Sequence, residues 1–165
     1  MKKTLICFIC LITTGLILPQ NSVIPVKNAT KKDWSPYSYW YHPWGKSGVH
    51  KGIDIFAKQG TPVVSAVYGM VIFTGNIDMG GNVIVVLGPK WHVHYYAHLS
   101  EVDTHMLGWA GKGEQIGKVG TTGNAAGKPP HLHYSILSLI PNPAEITTKT
   151  QGWKRMFYVN PATTF

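Results

Sequence analysis

Three short patterns in this sequence hold residues able to bind a metal ion and move protons. The first is His50-Lys51-Gly52-Ile53-Asp54. A His and an Asp four apart reach one point when the chain passes from a loop into a strand, where alternate residues share a face. The second is His131-Leu132-His133. On a strand its two imidazoles project from one face with Cα atoms about 6.6 Å apart. One can then bind a metal while the other stands beside the open coordination position. The third is Tyr95-Tyr96-Ala97-His98, at the end of an aromatic run. Together the patterns suggest a catalytic zinc site, with three nitrogen and oxygen ligands from the protein and the fourth position left to water. Two histidines and one aspartate leave such a centre positive and still able to lower the pKa of bound water.

The acids narrow the chemistry further. There are seven: Asp33, Asp54, Asp78, Glu101, Asp103, Glu114 and Glu145. A His-Glu-x-x-His motif, which supplies a glutamate base beside its ligands, is absent. Asp54 alone lies within a metal pattern, and there it is spent as a ligand. The base for a zinc-activated water is therefore expected to be a histidine, with His131 and His98 as candidates. His92 and His94 stand at even positions with Tyr96 and His98, so an unbroken strand would turn all four to one face. Solvated positions are expected for His92 and His94, with substrate or second-metal contact as the alternative. His42 and His105 receive no role.

These side chains need a rigid frame, and the composition says which kind. The 165 residues include 18 Gly and 11 Pro, with 44% hydrophobic and 13% charged residues. That is too apolar for a disordered chain, and its punctuation suits short strands and turns rather than a helical bundle. Strand signals recur at Thr61–Val67, Met70–Thr74, Asn82–Leu87, Trp91–Leu99, Gln115–Val119 and His131–Leu137. The expected fold is mainly β: one antiparallel sheet domain, with a short turn at Ser100–Met106 as the one plausible helix. Residues 23–47 read as an aromatic-rich extended segment broken by Pro36 and Pro43, which either lines the groove or packs on the sheet. Residues 48–137 form the metal-bearing domain, and 138–165 an ordered tail.

The first 22 residues read as an address. Lys2 and Lys3 precede an apolar stretch from Leu5 to Leu18, the layout of a signal peptide or, uncleaved, of an anchor. No apolar run reaches the ~18 residues of a membrane span, so no stable span is expected after cleavage. The two cysteines, Cys7 and Cys10, lie in this segment, which excludes a disulfide framework or zinc-thiolate site in the body. With 15 Lys+Arg against 7 Asp+Glu the chain is basic and suits an anionic partner. No nucleic-acid-binding motif is present.

The motifs, taken in order, resemble the lysostaphin/LytM-type zinc endopeptidases that cut peptidoglycan peptides. The resemblance runs from Gly48 to Ile136. It rests on Val49-His50-Lys51-Gly52-Ile53-Asp54-Ile55, Gly60-Thr61-Pro62-Val63, the Gly69 to Gly75 segment and Tyr96-Ala97-His98-Leu99. It continues through Gly117-Lys118-Val119-Gly120-Thr121-Thr122-Gly123 and Pro130-His131-Leu132-His133-Tyr134. It implies an antiparallel β domain with a substrate groove over the sheet and one zinc ion on the groove floor, held by His50, Asp54 and His133, with His131 and His98 as non-ligand catalytic histidines. It implies a peptidoglycan peptide as substrate and a location in the periplasm, envelope or outside the cell, and a monomer is expected. Two departures stand out. The Asn124–Pro130 loop is about two residues longer than usual, and Ser135 replaces a commonly acidic position. Other readings are a wall-binding or hydrolase-activator module keeping a relic metal site, and a D-Ala-D-Ala carboxypeptidase. The latter needs a Glu near the third ligand, and no acid lies between Glu114 and Glu145.

Overall fold

The computed structural model describes Thr4 and residues 13–165. Cys7, Cys10 and the basic start lie outside the described residues. Ten strands follow in chain order: β1 (Ile53–Phe56), β2 (Pro62–Val64), β3 (Gly69–Ile77), β4 (Gly81–Leu87), β5 (His92–Leu99), β6 (Glu101–Val102), β7 (Trp109–Ala110), β8 (Gln115–Lys118), β9 (His131–Ser138) and β10 (Tyr158–Val159). Seven form one antiparallel sheet in the order β1-β9-β5-β4-β3-β7, with β10 also pairing β9. β2, β8 and β6 form a second, three-stranded sheet. The chain is mainly β, and a groove runs over the large sheet.

Alternation within the strands makes the core. In β9, Leu132, Tyr134 and Ile136 are fully buried, while His131 and His133 face the other way into the groove. Ile53 and Ile55 of β1 join the same core, leaving Asp54 opposite His133 across the ladder. The inner face of the small sheet and its flanks (Val63, Val67, Ile116, Val119) close the core from the other side. Leu132 therefore underpins the strand that carries both motif histidines; truncating such a residue to alanine costs about 2–5 kcal/mol.

Three expectations change against this frame. β3 runs past Gly75, which pairs with Val83 inside a long hairpin instead of ending the strand. The Ser100–Met106 stretch is not helical. Glu101 and Val102 form β6, Ser100 N–H donates to Lys118 O at 3.0 Å, and Asp103 N–H donates to Ile116 O at 2.8 Å. Those cross-chain bonds take up the backbone groups a helix would have paired internally. Single 3-10 turns fall elsewhere, at Gly45–Ser47 and Gly123–Ala125 among other places.

The third change concerns β5. His94 and Tyr96 point into the core and are fully buried, whereas Tyr95 and Ala97 line the groove. His98 would follow His94 and Tyr96 by simple alternation. It does not, because the β4–β5 register shifts between Asn82 and Ile84 and His98 takes a left-handed φ of 67°. This bulge swings His98 onto the groove side.

The aromatic segment divides. Trp34 and Trp40 are buried, and their partners come from the far end of the chain: Phe165 at 5.6 Å from Trp34, and Tyr158 at 5.5 Å from Trp40. Trp44 instead lies in the groove wall.

Candidate metal centre

His50 lies in the loop before β1, and Asp54 lies on β1 itself. His133 comes from the adjacent β9, opposite Asp54. His50 Nε2 is 3.0 Å from Asp54 Oδ1 and 3.0 Å from His133 Nδ1, and His133 Nδ1 is 2.8 Å from Asp54 Oδ1. Three donor atoms thus form a compact triangle on the floor of a groove of about 670 Å³. Among the described residues no other trio of His, Cys, Asp or Glu converges this way.

The chemistry of this set fits a divalent ion. His50 Nδ1–H donates to the Ser38 carbonyl at 3.0 Å, which fixes Nε2 as the lone-pair nitrogen. That lone pair faces a carboxylate oxygen, so acceptor meets acceptor, an arrangement a cation relieves. The triangle's edges are a few tenths of an ångström shorter than the ~3.3–3.5 Å separating ligands of a tetrahedral zinc with bonds of 2.0–2.1 Å. Charge states agree. Burial raises the Asp54 pKa, while hydrogen bonds and positive charge from His133 and His50 lower it by more, a stabilisation that a cation would supply once both nitrogens present lone pairs. Burial lowers the His133 pKa against the opposing pull of Asp54. A neutral imidazole beside a carboxylate is what ligation requires.

His98 and His131 stand next to the trio without belonging to it. Their rings are 5.0 Å apart, and His98 lies 6.0 Å from the His133 ring. His131 Nε2 approaches Asp54 Oδ2 no closer than 4.0 Å. Each is oriented by a backbone carbonyl: His98 Nδ1–H donates to Thr122 O at 2.9 Å, and His131 Nδ1–H to Pro129 O at 2.8 Å. Both keep Nε2 free as a base. Burial, then the neighbouring His133 and His131, lower the His98 pKa to about 4. The Thr122 carbonyl is brought close by glycine. Gly81 and Gly123 press backbone to backbone with φ of 64° each, where side chains would collide.

The other sequence candidates fall outside this cluster. His94 Nδ1 is 2.6 Å from the Tyr134 hydroxyl in the core, and half-buried His92 lies 2.6 Å from Gln20 Oε1. His94 is not solvated as expected, because its side of the strand is the packed one, while His92 is only partly exposed. Two groups were not legible in the motifs. The Trp44 ring stacks on His50 at 4.2 Å and 26°, and Lys46, Lys51 and Lys128 line the groove. The orienting carbonyls of Ser38, Thr122 and Pro129 carry no residue signature, since any residue supplies a carbonyl.

Residues 48–144, more than half of the chain, match the family described as Peptidase family M23. The chain belongs to peptidase family M23. Similar M23 relatives include the L-Ala--D-Glu endopeptidase of Bacillus subtilis, 38% identical over 117 residues that cover 64% of this chain and 35% of that protein. The DD-carboxypeptidase/endopeptidase Mpg of Neisseria meningitidis is 39% identical over 104 residues, covering 61% of this chain and 23% of that protein. The chain thus spans about a quarter to a third of these relatives' lengths. Among solved structures, the catalytic domain of lysostaphin from Staphylococcus simulans superposes with a TM-score of 0.61 at 26% identity. That match covers 80% of this chain and 92% of the other. The M23 assignment agrees with the lysostaphin-type resemblance of the motifs.

Proposed function

We propose that the protein is an exported zinc-dependent endopeptidase that hydrolyses amide bonds in peptidoglycan peptide cross-links. The observation that carries this reading is the convergence of His50 Nε2, Asp54 Oδ1 and His133 Nδ1 on a groove floor flanked by His98 and His131. Similar proteins named as peptidoglycan endopeptidases support the substrate class. The apolar stretch behind Lys2 and Lys3 supports export, and no helix among the described residues is long and apolar enough to cross a membrane.

In this reading His50, Asp54 and His133 hold zinc. When bound, the ion supplies Lewis acidity, lowering the pKa of a water and polarising the scissile carbonyl. The remaining work belongs to the side chains. Neutral His131 or His98 accepts the nucleophile's proton at Nε2, because its Nδ1–H is committed to a carbonyl. Once protonated, the same Nε2–H donates to the developing oxyanion or passes its proton to the departing amine. Asp54 stays ionised throughout, since its pKa is held low.

Digestion of purified cross-linked peptidoglycan by zinc-loaded protein, with product masses read out, tests the proposal. Release of uncross-linked peptides that stops with a chelator and returns with zinc supports it. Intact wall in the presence of stoichiometric zinc would refute it.

A further inference from the structure

The cations and anions of this chain are distributed unevenly around the groove. Three lysines line it: Lys46 in the Gly45–Ser47 turn before β1, Lys51 next to His50, and Lys128 in the long 124–130 loop. Lys46 and Lys128 are exposed, and Lys51 is half-buried with its Nζ donating to the Ser47 carbonyl at 3.0 Å. None of the three has a carboxylate partner among the described residues. The lining contains a single acid, Asp54, whose oxygens are engaged by the histidines.

The other acids are mostly committed elsewhere. Glu101 pairs with Lys118, Glu145 with Arg155, and Asp103 accepts from Gln115. Glu114 accepts from Gly111 N–H and Asp33 from Thr30 N–H. Asp78, exposed on the β3–β4 hairpin, does not line the groove. A cleft lined by three cations and no free anion attracts negative charge, and its low-dielectric walls focus that field.

We propose that the groove selects peptides bearing free carboxylates beside the bond to be cut, with Lys46, Lys51 and Lys128 as the recognising groups. The proposal rests on the peptidase reading for the bond and on the lysines for the charge. A stem peptide entering the groove brings its side carboxylates to these lysines, and a neutral peptide of equal shape lacks those contacts. Each exposed charge contact is modest, so three together give about a ten-fold preference at low salt.

The test uses a soluble stem-peptide dimer released from peptidoglycan and the same dimer with its carboxylates converted to carboxamides. Both are titrated calorimetrically into the zinc-loaded full chain, and cleavage is followed in parallel. The free-carboxylate form is expected to bind about ten-fold more tightly, with the gap closing near 0.5 M salt. The gap should shrink in Lys46→Gln/Lys128→Gln and vanish in Lys46→Glu/Lys128→Glu. Equal affinity for the two forms, or a gap untouched in both variants, overturns the proposal even if both dimers are cut. Carboxylate-dependent binding with neither dimer cut upholds it and defeats the peptidase reading instead.

Discussion

His98 and His94 lie on one strand, four residues apart, and their rings meet opposite surroundings. His98 is turned out by the bulge, has its Nδ1–H on the Thr122 carbonyl, and keeps Nε2 free in the groove. His94 is turned in, with Nδ1 against the Tyr134 hydroxyl, and its buried Nε2 has no hydrogen-bond partner among the described residues. Burial lowers both pKa values, to about 4 for His98 and about 3 for His94. Both rings are therefore neutral at neutral pH. What separates them is access: a proton taken up by His98 can be handed to a bound peptide, while one on His94 would be trapped in the core. A depressed pKa marks burial first and chemistry only where a free nitrogen meets a cavity.

The largest effect on this contrast should come from the groove floor. His50→Ala, Asp54→Ala or His133→Ala is expected to abolish both tight zinc binding and turnover, because two ligands cannot hold a three-ligand site. Metal analysis of the three proteins checks this, and stoichiometric zinc in Asp54→Ala would remove that residue from the set. Next in size, His98→Ala and His131→Ala should retain zinc and lose about 10²–10³ in kcat, with KM little changed. Near-normal turnover in both zinc-loaded variants would break the histidine-base mechanism.

The core histidine should respond in stability rather than in catalysis. His94→Phe removes the buried ring nitrogen bonded to the Tyr134 hydroxyl, which keeps only its bond to Tyr96, at a cost of about 1 kcal/mol at pH 7 by denaturant unfolding. The variant should also lose part of the acid sensitivity of the wild type. Folded His94 stays neutral down to about pH 3, whereas the unfolded residue protonates near 6.5. Between those values the unfolded chain binds a proton that the folded one refuses, so stability falls as pH drops through this window. Unfolding midpoints at pH 7 and pH 4.5 should therefore lie closer together in His94→Phe; an unchanged gap would contradict a neutral buried His94. The smallest effect is expected from Trp44→Ala. Stripping the ring stacked 4.2 Å from His50 loosens the imidazole and should weaken zinc binding by about ten-fold or less. Competition against a chromophoric chelator measures it.

Periodicity and short motifs carried the parts of the molecule that depend on local chain geometry. The His131-x-His133 pair shares a face because a strand alternates, and His50 meets Asp54 because a loop runs into β1. The strands themselves were readable from their apolar runs. The side of β5 was not. Alternation turned His92 and His94 toward the groove with His98, and the bulge that separates them is set by pairing with β4, a neighbour in space. The supposed helix at Ser100–Met106 failed for the same reason, since its backbone groups were taken by strands distant in sequence. The split of the tryptophans between core and groove depended on where Tyr158 and Phe165 return. The lysines lining the groove became a group only once the Gly45–Ser47 turn and the 124–130 loop were brought to one cavity.

The ligand triangle has a consequence for the order in which this chain becomes dangerous. Asp54 and His133 are 79 residues apart in sequence, and His50 and His133 are 83 apart. Neither pair exists until β9 has been synthesised and has added to β1, a non-local step of the kind that forms late in folding. A nascent chain carries His50 and Asp54 alone, a two-ligand fragment with little hold on metal. On the proposed peptidase reading, competence to cut is thereby tied to completion of the sheet, and a chain that stalls before β9 docks has not yet been armed.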